Sequence, residues 1–236
     1  MNALVPRFFC LFLCISTILT PLEPGKKISQ YKVRTWNIES GLPGNTVFAL
    51  RQTRDGYLWI GTRDGLVRFD GVDFEVYNKE TNPALRGNEI RALYEDREGC
   101  LWIGTNSGGL TCLKEGRFTN YPVTKYKALT KIRAIAEDRR GNLWIGSLSE
   151  GLTCFNDGGF ITYAGKDGLP GNRVRSLFKD SGGGLWAAVS TAVVKIIEPG
   201  VFRLYAEQDE LPYLKTTCLY ARDSQNLWIG TGEKGF

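Results

Sequence analysis

Short stretches of alternating apolar and polar residues run along most of the chain, and residues 88–121 show the pattern clearly. There, Ile90, Ala92 and Tyr94 alternate with larger or charged residues, a two-residue period that predicts a β-strand. The turn EDREG, the apolar run CLWIGT, the turn NSGG, the strand LTCLK, the turn EGR and the strand FTNY follow in order. This segment therefore predicts four short strands joined by tight turns.

The same four-strand pattern recurs with a fixed period. LWIGT stands at 58–62, 101–105 and 227–231, and LWIGS stands at 143–147. The tryptophans in this register are separated by 43, 42, 42 and 42 residues, and they are Trp59, Trp102, Trp144, Trp186 and Trp228. Repeats of about 42 residues with four strands are typical of β-propeller blades. We predict an all-β fold: a β-propeller of four-stranded antiparallel blades, about four complete and one partial.

The repeat register also sets the predicted domain boundaries. An N-terminal segment covers residues 1–24, and one propeller domain covers residues 25–236. The complete blades are expected at about 45–77, 88–121, 131–163 and 172–205, and the partial blade at 214–236. Residues 31–38 precede the first GLPGN as FITYAGKD precedes the second, so they are predicted to be a closing rim strand.

Closure of the ring would need one strand more than this sequence supplies. The partial blade contributes only two inner strands, and the rim strand predicted at 31–38 adds a third. We therefore expect a truncated or incomplete ring. Its unpaired strand edge predicts self-association, or pairing with missing blades of a signalling protein.

Two further positions keep the repeat register. The glycine after Trp-Ile is expected to let adjacent sheets approach closely, while the tryptophan covers the face of the neighbouring sheet. An aspartate stands six residues before three of the tryptophans, at Asp96, Asp138 and Asp180. Because each precedes a tight turn, we predict that these carboxylates cap turns rather than act as acid–base groups.

The N-terminal segment has a different composition from the repeats. MNALVPR carries one positive charge and is followed by the apolar FFCLFLCISTILTPL and the polar EPGKKISQ. This order is typical of a secretory signal peptide. The apolar stretch is shorter than the roughly 20 residues that a spanning helix needs, but without a clear cleavage site an uncleaved signal anchor stays open. Both alternatives place the propeller in the periplasm, or on the extracytoplasmic face of the inner membrane.

The composition of the chain excludes several catalytic mechanisms. The sequence contains no histidine, so Ser-His-Asp and Cys-His mechanisms and a phospho-accepting histidine are excluded. GTGEKG at 230–235 spells G-x-G-x-x-G, but it coincides with the ordinary end of a repeat and has no helix after it to hold a phosphate. We predict no cofactor, no metal and no catalytic residue.

Four cysteines lie outside the N-terminal segment. They are Cys100, Cys112, Cys154 and Cys218. Their spacings of 12, 42 and 64 match no zinc pattern. We expect small buried apolar residues at these positions rather than disulfides.

The net charge of +5 comes from dispersed Lys and Arg residues, most of them on turns beside Asp or Glu. No basic run interleaves with aromatic residues. We therefore expect a solvated surface and no nucleic-acid partner.

The repeat resembles a known family. The pattern I-x-A-L-x-E-D-R-x-G-x-L-W-I-G-T-x-x-G-G-L is similar to the two-component regulator propeller repeat, and residues 90–110 and 132–152 carry the match. Residues 47–66 follow it closely, whereas 174–193 depart from it with LWAAVSTAVV. The resemblance implies the extracytoplasmic sensor region of a bacterial signalling protein. Such proteins usually continue into more blades, an immunoglobulin-like domain, a membrane helix and a kinase, cyclase or DNA-binding output, none of which is recognised in this sequence.

The predicted function is a ligand-sensing input module, and the alternative is a non-enzymatic scaffold for protein interaction. An enzyme is disfavoured because histidine and a convergent acidic cluster are both missing. The ligand is expected to be a small molecule, with carbohydrate as one class. In a propeller, the loops from strand four to strand one and from strand two to strand three lie on one face. On this face we predict ligand contacts from Arg63, Asn106 and Ser149, which are polar, stand in turns and differ between blades.

Overall fold

The computed structural model describes residues 27–30, 33–156, 158–190, 192–206, 216–221 and 227–231 of the 236-residue chain. It divides into two units, residues 1–35 and 36–236. In the first unit, Ile28–Gln30 form one turn of 3-10 helix. The signal segment predicted at 1–24 lies outside the described residues. Within the described ranges, no helix is both long and apolar enough to cross a membrane.

The second unit is a series of antiparallel sheets, four with four strands and one with two. Each sheet follows chain order from its inner to its outer strand, as the predicted fold class requires. Blade 1 contains β1 (Val47–Gln52), β2 (Leu58–Thr62), β3 (Leu66–Phe69) and β4 (Phe74–Tyr77). Blade 2 contains β5 (Ile90–Glu95), β6 (Leu101–Thr105), β7 (Leu110–Lys114) and β8 (Arg117–Tyr121). Blade 3 contains β9 (Ile132–Glu137), β10 (Leu143–Ser147), β11 (Leu152–Asn156) and β12 (Gly159–Tyr163). Blade 4 contains β13 (Val174–Lys179), β14 (Leu185–Val189), β15 (Ala192–Glu198) and β16 (Val201–Ala206). The half blade contains β17 (Thr216–Ala221) and β18 (Leu227–Thr231). Short 3-10 turns occupy Ile38–Ser40, Lys127–Leu129 and Gly165–Asp167.

The inner strands β1, β5, β9, β13 and β17 lie side by side, each against the next. The core lies between neighbouring blades. Trp144 of blade 3, for example, is fully buried in a cluster with Val174, Leu185 and Ala187 of blade 4. The glycine of the repeat permits this approach, because a Cβ built on Gly146 would lie 2.6 Å from Cγ1 of Val174. The packing roles expected for the tryptophan and the glycine are confirmed.

The repeated aspartates hold the first turn of their blades. Oδ2 of Asp96 accepts the Trp102 indole N–H at 2.7 Å, and its Oδ1 accepts backbone N–H groups from Glu98 and Cys100, each at 2.9 Å. Asp138 and Asp180 bind their own tryptophans in the same way. The capping role predicted for these carboxylates is confirmed.

The two ends of the series leave their faces uncovered. Ile135 on inner strand β9 packs against blade 2 and is 8% exposed, whereas Leu50, its equivalent on β1, is 62% exposed. At the other end Trp228 of the half blade is exposed as well. In the part of the chain that the structure describes, the ring is therefore open.

The rim strand predicted at 31–38 is not found in the described part of that segment. Residues 33–37 belong to no strand, and residues 31 and 32 lie outside the description. A capping box explains the end of the segment: Oδ1 of Asn37 accepts the backbone N–H of Ser40, and this starts a 3-10 turn instead of a strand. Gly41, with φ of 103°, ends the turn in the left-handed conformation that glycine favours.

The expectation of four unpaired cysteines is wrong for one pair. Cys100 and Cys112 form a disulfide in blade 2. Cys112 lies opposite Trp102 in the β6–β7 ladder, so Cys100, two residues before that tryptophan, points to the same face. Cys154 occupies the position of Cys112 in blade 3, but there Asn142 stands in place of Cys100. Cys154 is accordingly a buried free thiol, and Cys218 is an exposed one.

Candidate functional site

Every inner strand contains a β-bulge at its second residue. The pairing register with the next strand shifts between Ile90 and Ala92, for example, so that Arg91 is the extra residue. The same shift occurs in the other four sheets. A bulge bends the strand and re-aims the side chain of the extra residue. The bulged positions are Phe48, Arg91, Arg133, Arg175 and Thr217.

Three consecutive bulged residues are arginines, and we call Arg91, Arg133 and Arg175 the axial arginine cluster. They stand on β5, β9 and β13, three inner strands that lie side by side. The Arg91 guanidinium lies 3.5 Å from the ring centre of Phe48, the bulged residue of the preceding blade. Arg91 and Phe48 thus meet at the end where their inner strands begin, and the charges of Arg91 and Arg175 both act on Arg133.

The cluster has few protein partners for its charge. Nε of Arg91 donates to Oε1 of Glu89 at 2.7 Å, and this is an ion pair. Nη2 of Arg133 donates to Oδ1 of Asn106 at 3.1 Å, and its Nη1 donates to the carbonyl oxygen of Ile132. Nε of Arg175 is buried and has no hydrogen-bond partner within the described residues.

The electrostatics of the cluster follow from this arrangement. Burial lowers the pKa of the Arg133 guanidinium, and the positive charge of Arg91 lowers it further. Glu89 acts in the opposite direction, and Arg175 adds to the lowering. An arginine remains protonated at neutral pH despite such shifts. The cluster is therefore a half-buried group of like charges in mutual repulsion.

The turns between second and third strands lie at the same end. The backbone N–H that follows LWIGT or its equivalent donates to the carbonyl of the residue before each inner strand: Arg63 to Thr46, Asn106 to Glu89, Leu148 to Lys131 and Ser190 to Arg173. These bonds place the turns beside the bulged residues.

The three residues predicted to contact a ligand are placed differently. Asn106 meets the cluster through its hydrogen bond with Arg133. Arg63 is exposed at the same end, in blade 1, where Phe48 stands in place of an arginine. Ser149 is half-buried and its backbone N–H donates to Oγ of Ser147 at 3.2 Å. Leu148, and not Ser149, is equivalent to Arg63 and Asn106. Ligand contact by each of the three stays a prediction.

Sequence reasoning missed the arginine cluster, although a signal for it was present. Three repeats begin their inner strands with I-R-A, I-R-A and V-R-S, at 90–92, 132–134 and 174–176. Simple alternation reads these arginines as the solvated face of a strand. The bulge, which depends on pairing with the next strand, changes the direction of these side chains instead.

The opposite face offers a second concavity between blades 3 and 4. This cleft has a volume of about 390 Å³ and is lined by side chains of both signs, among them Arg139, Asp180, Lys195 and Glu198. Its buried carboxylate already has partners, because Asp180 accepts the Trp186 indole N–H at 2.8 Å and the Gly184 N–H at 2.6 Å. The face that carries the axial arginine cluster, which we call the axial face, is the stronger candidate, because the buried Nε of Arg175 has no partner within the described residues.

Antiparallel four-stranded sheets with adjacent inner strands define a β-propeller, here an open one. Four segments, residues 41–64, 84–107, 128–149 and 168–191, match the two-component regulator propeller family. These four segments are thus two-component regulator propeller repeats, as the sequence motif predicts.

The chain also resembles parts of known proteins in sequence or in structure. The chain is 39% identical over 49 residues to histidine kinase P4 of Formosa agariphila, a match that covers 21% of this chain and 4% of the kinase. Among solved structures, it resembles the extracellular domain of BT4673 from B. thetaiotaomicron, described as a one-component or hybrid two-component system. In that comparison the TM-score is 0.65 and the identity is 22%, over 79% of this chain and 29% of the other.

Virginiamycin B lyase from Staphylococcus aureus has a similar fold, with a TM-score of 0.63 and 16% identity over 78% of this chain and 62% of the lyase. Likenesses at this level of identity establish the fold alone. The chain spans less than a third of the BT4673 domain and a small fraction of the kinase.

Proposed function

We propose that this chain is the ligand-binding input module of an extracytoplasmic signalling protein of the two-component type. The observation that carries the proposal is the presence of three arginines and blade-specific turns at one face of a scaffold of two-component regulator propeller repeats, with a hydrogen bond from Arg133 to Asn106. Loops that differ on a constant scaffold are where recognition usually resides. The ligand is a small molecule, with carbohydrate as one expected class, and its binding is passed on to the output domains of the signalling system.

Two independent features support a location outside the cytoplasm. The first 24 residues have the charged, apolar and polar order of a secretory signal or signal anchor. The Cys100–Cys112 disulfide belongs to an oxidising compartment, since cytosolic thiols are normally kept reduced.

A binding role, rather than catalysis, fits the chemistry of the chain. There is no histidine, and within the described ranges no three His, Cys, Asp or Glu side chains are grouped to hold a metal ion. The repeated aspartates bind indole and backbone N–H groups, so these carboxylates serve structure. The lyase with a similar fold supports no catalytic assignment at 16% identity.

The proposal is tested by a ligand screen on the purified full chain. Neutral and acidic mono- and oligosaccharides are screened by thermal shift, and hits are measured by calorimetry. We expect Asn106→Ala to weaken binding, because Asn106 contacts Arg133 on the axial face. Asn156→Ala is the matched control, since Asn156 is exposed at the far end of β11, on the opposite face. If Asn156→Ala weakens ligand binding and Asn106→Ala does not, the site lies on the opposite face and the proposed location is wrong.

The interaction scaffold remains a second candidate because of the uncovered ends. Leu50 and Trp228 present large apolar side chains to solvent at the first and last sheets. Exposed apolar surface of this kind often marks a protein contact. Co-purification of a protein partner whose binding is abolished by Leu50→Lys, combined with no hit in the screen, would favour the scaffold over the sensor.

A further inference from the structure

We propose that the axial face recognises an acidic small molecule, whose carboxylate or sulfate group is bound by Arg91, Arg133 and Arg175. The inference rests on the proposed function in one respect, namely that the chain binds a small ligand. It adds the chemical class of that ligand and the side chains that select it.

Repetition of the bulge explains how the three charges come together. The second residue of the inner strand is an arginine in blades 2, 3 and 4. The extra residue in each ladder re-aims that side chain, and it does so in three adjacent blades. Phe48, at the same position in blade 1, lies against Arg91 and closes one side of the group.

The unused donors of the cluster are suited to a planar or tetrahedral anion. A guanidinium carries five N–H donors in a rigid fork that matches carboxylate and sulfate oxygens. Arg133 uses one nitrogen for Asn106 and one for a backbone carbonyl, and the buried Nε of Arg175 has no partner within the described residues. A bound anion would satisfy these donors and screen the repulsion between them.

The surroundings favour a ligand with one acidic group over an extended polyanion. Glu89 already neutralises Arg91, which leaves the region of Arg133 and Arg175 as the place with excess positive charge. Outside the cluster, the turns of the same face carry Asp64 and Glu150, which would repel further negative groups. A long nucleic acid or polyanion would meet these carboxylates, whereas a small acidic sugar would not.

Repulsion between these arginines predicts that removing one of them weakens anion binding but does not destabilise the ligand-free protein. Arg175→Gln removes one of three mutually repelling groups and breaks no hydrogen bond of the Nε atom. We expect the Tm of the free Arg175→Gln protein to equal or exceed that of the parent by about 1–3 °C, although its anion binding is weaker. A residue with a purely structural role would lower Tm when replaced.

The experiment compares three probes on the purified full chain at constant ionic strength: glucose, sodium glucuronate and glucose 6-sulfate. We expect one or both acidic sugars to raise Tm by about 5 °C or more near one hundred times Kd, and glucose to have no effect. The carboxylate and sulfate arms identify which acidic group is preferred. Arg133→Gln and Arg175→Gln should each raise Kd at least about tenfold, the loss expected for a charge-assisted hydrogen bond. Arg117→Gln, the same charge change on rim strand β8, should leave Kd within about twofold.

Each contrary result has a separate meaning. If neither acidic probe shifts Tm, or if the arginine variants bind as the parent does, recognition of an anion by this cluster is wrong. Tight binding of a neutral sugar in the earlier screen would then still support the sensor function. Equal losses in Arg117→Gln and Arg133→Gln would show a nonspecific effect of net charge and would also overturn the inference.

Discussion

Blade 3 and the half blade contain almost the same five residues, LWIGS at 143–147 and LWIGT at 227–231, but the two tryptophans have very different surroundings. Trp144 is 0% exposed, whereas Trp228 is 58% exposed. Both pair with their inner strands in the same register, opposite Ala136 and Tyr220. The difference is that blade 3 has two outer strands and packs against blade 4, while β18 pairs with β17 alone in the described structure. The motif therefore supplies an apolar face, and the neighbouring blade makes that face a core.

The largest effect that this comparison predicts is a difference between two identical substitutions. Trp144→Ala should lower the free energy of unfolding by roughly 3–5 kcal/mol, because it empties a large buried site. Trp228→Ala should cost about 0.5 kcal/mol, as expected for an exposed side chain. Urea unfolding of the two variants measures the difference. Similar losses in the two variants would mean that the position of the tryptophan within its own sheet, and not burial by the next blade, determines its contribution to stability.

The next largest effect on stability is expected at the turn whose Asp138 binds the Trp144 indole. Asp138 accepts hydrogen bonds from the Trp144 indole at 2.9 Å and from Nδ2 of Asn142 at 2.7 Å, in addition to backbone N–H groups. An amide in its place can accept at only one atom, so Asp138→Asn should cost about 1–3 kcal/mol at pH 7. Asp73→Asn is the control, because Asp73 is an exposed residue of the blade 1 rim turn.

Lowering the pH should remove the stability difference between the parent and Asp138→Asn. Burial acts to raise the pKa of Asp138, but hydrogen bonds from Trp144, Asn142 and the backbone outweigh it and the pKa lies below its ordinary value of 3.8. A lowered folded-state pKa gives stability that is present above the unfolded-state pKa and lost as the pH falls through the folded-state value. The difference between parent and Asp138→Asn should therefore shrink below about pH 4. A difference that is unchanged between pH 7 and pH 3 would contradict the role of the charge.

These contacts also show why part of the molecule is predictable from sequence and part is not. Trp144, Gly146 and Asp138 act within one repeat or against the next repeat, so a fixed period of 42 residues reveals them. The bulge at Arg133 and the disulfide at Cys100 depend instead on which residues face each other across two strands. A shift of one residue changes that relation. Ser149 is a different case, because the 42-residue period itself makes Leu148 the equivalent of Asn106, and Ser149 stands one residue later.

Uncovered ends predict association of the chain with itself. Leu50 on β1 is 62% exposed. Among the inner strands of the described structure, β1 lies against β5 alone, whereas β5, β9 and β13 each lie between two others. We expect concentration-dependent oligomers of the full chain, with a dissociation constant raised about tenfold by Leu50→Lys, or about 1.4 kcal/mol. Ile161→Lys is the control, because Ile161 is 58% exposed but lies on rim strand β12. Light scattering that shows only monomer at high concentration would contradict the prediction.

The smallest effect concerns the seams on the face opposite the arginine cluster. At the seam between blades 2 and 3, the Arg97 side chain pairs with Glu137 at 2.5 Å and its Nη2 donates to the Asp138 carbonyl at 2.8 Å. Arg54 meets Glu95 in the same way between blades 1 and 2. Between blades 3 and 4 the equivalent positions are Arg139 and Lys179, two cations.

Replacing Lys179 by Glu should complete this third seam. Because the partners are exposed and solvent screens them, we expect a gain of only about 0.5–1 kcal/mol, largest at low salt. Lys166→Glu makes the same change in net charge on an exposed 3-10 turn and serves as the control. Thermal unfolding at low and high salt measures both variants. If Lys179→Glu stabilises the protein no more than Lys166→Glu does, the ion pairs of Glu95 and Glu137 contribute little to holding the blades together. The burial of Trp144 against blade 4 would then account, without these ion pairs, for the greater stability cost of Trp144→Ala than of Trp228→Ala.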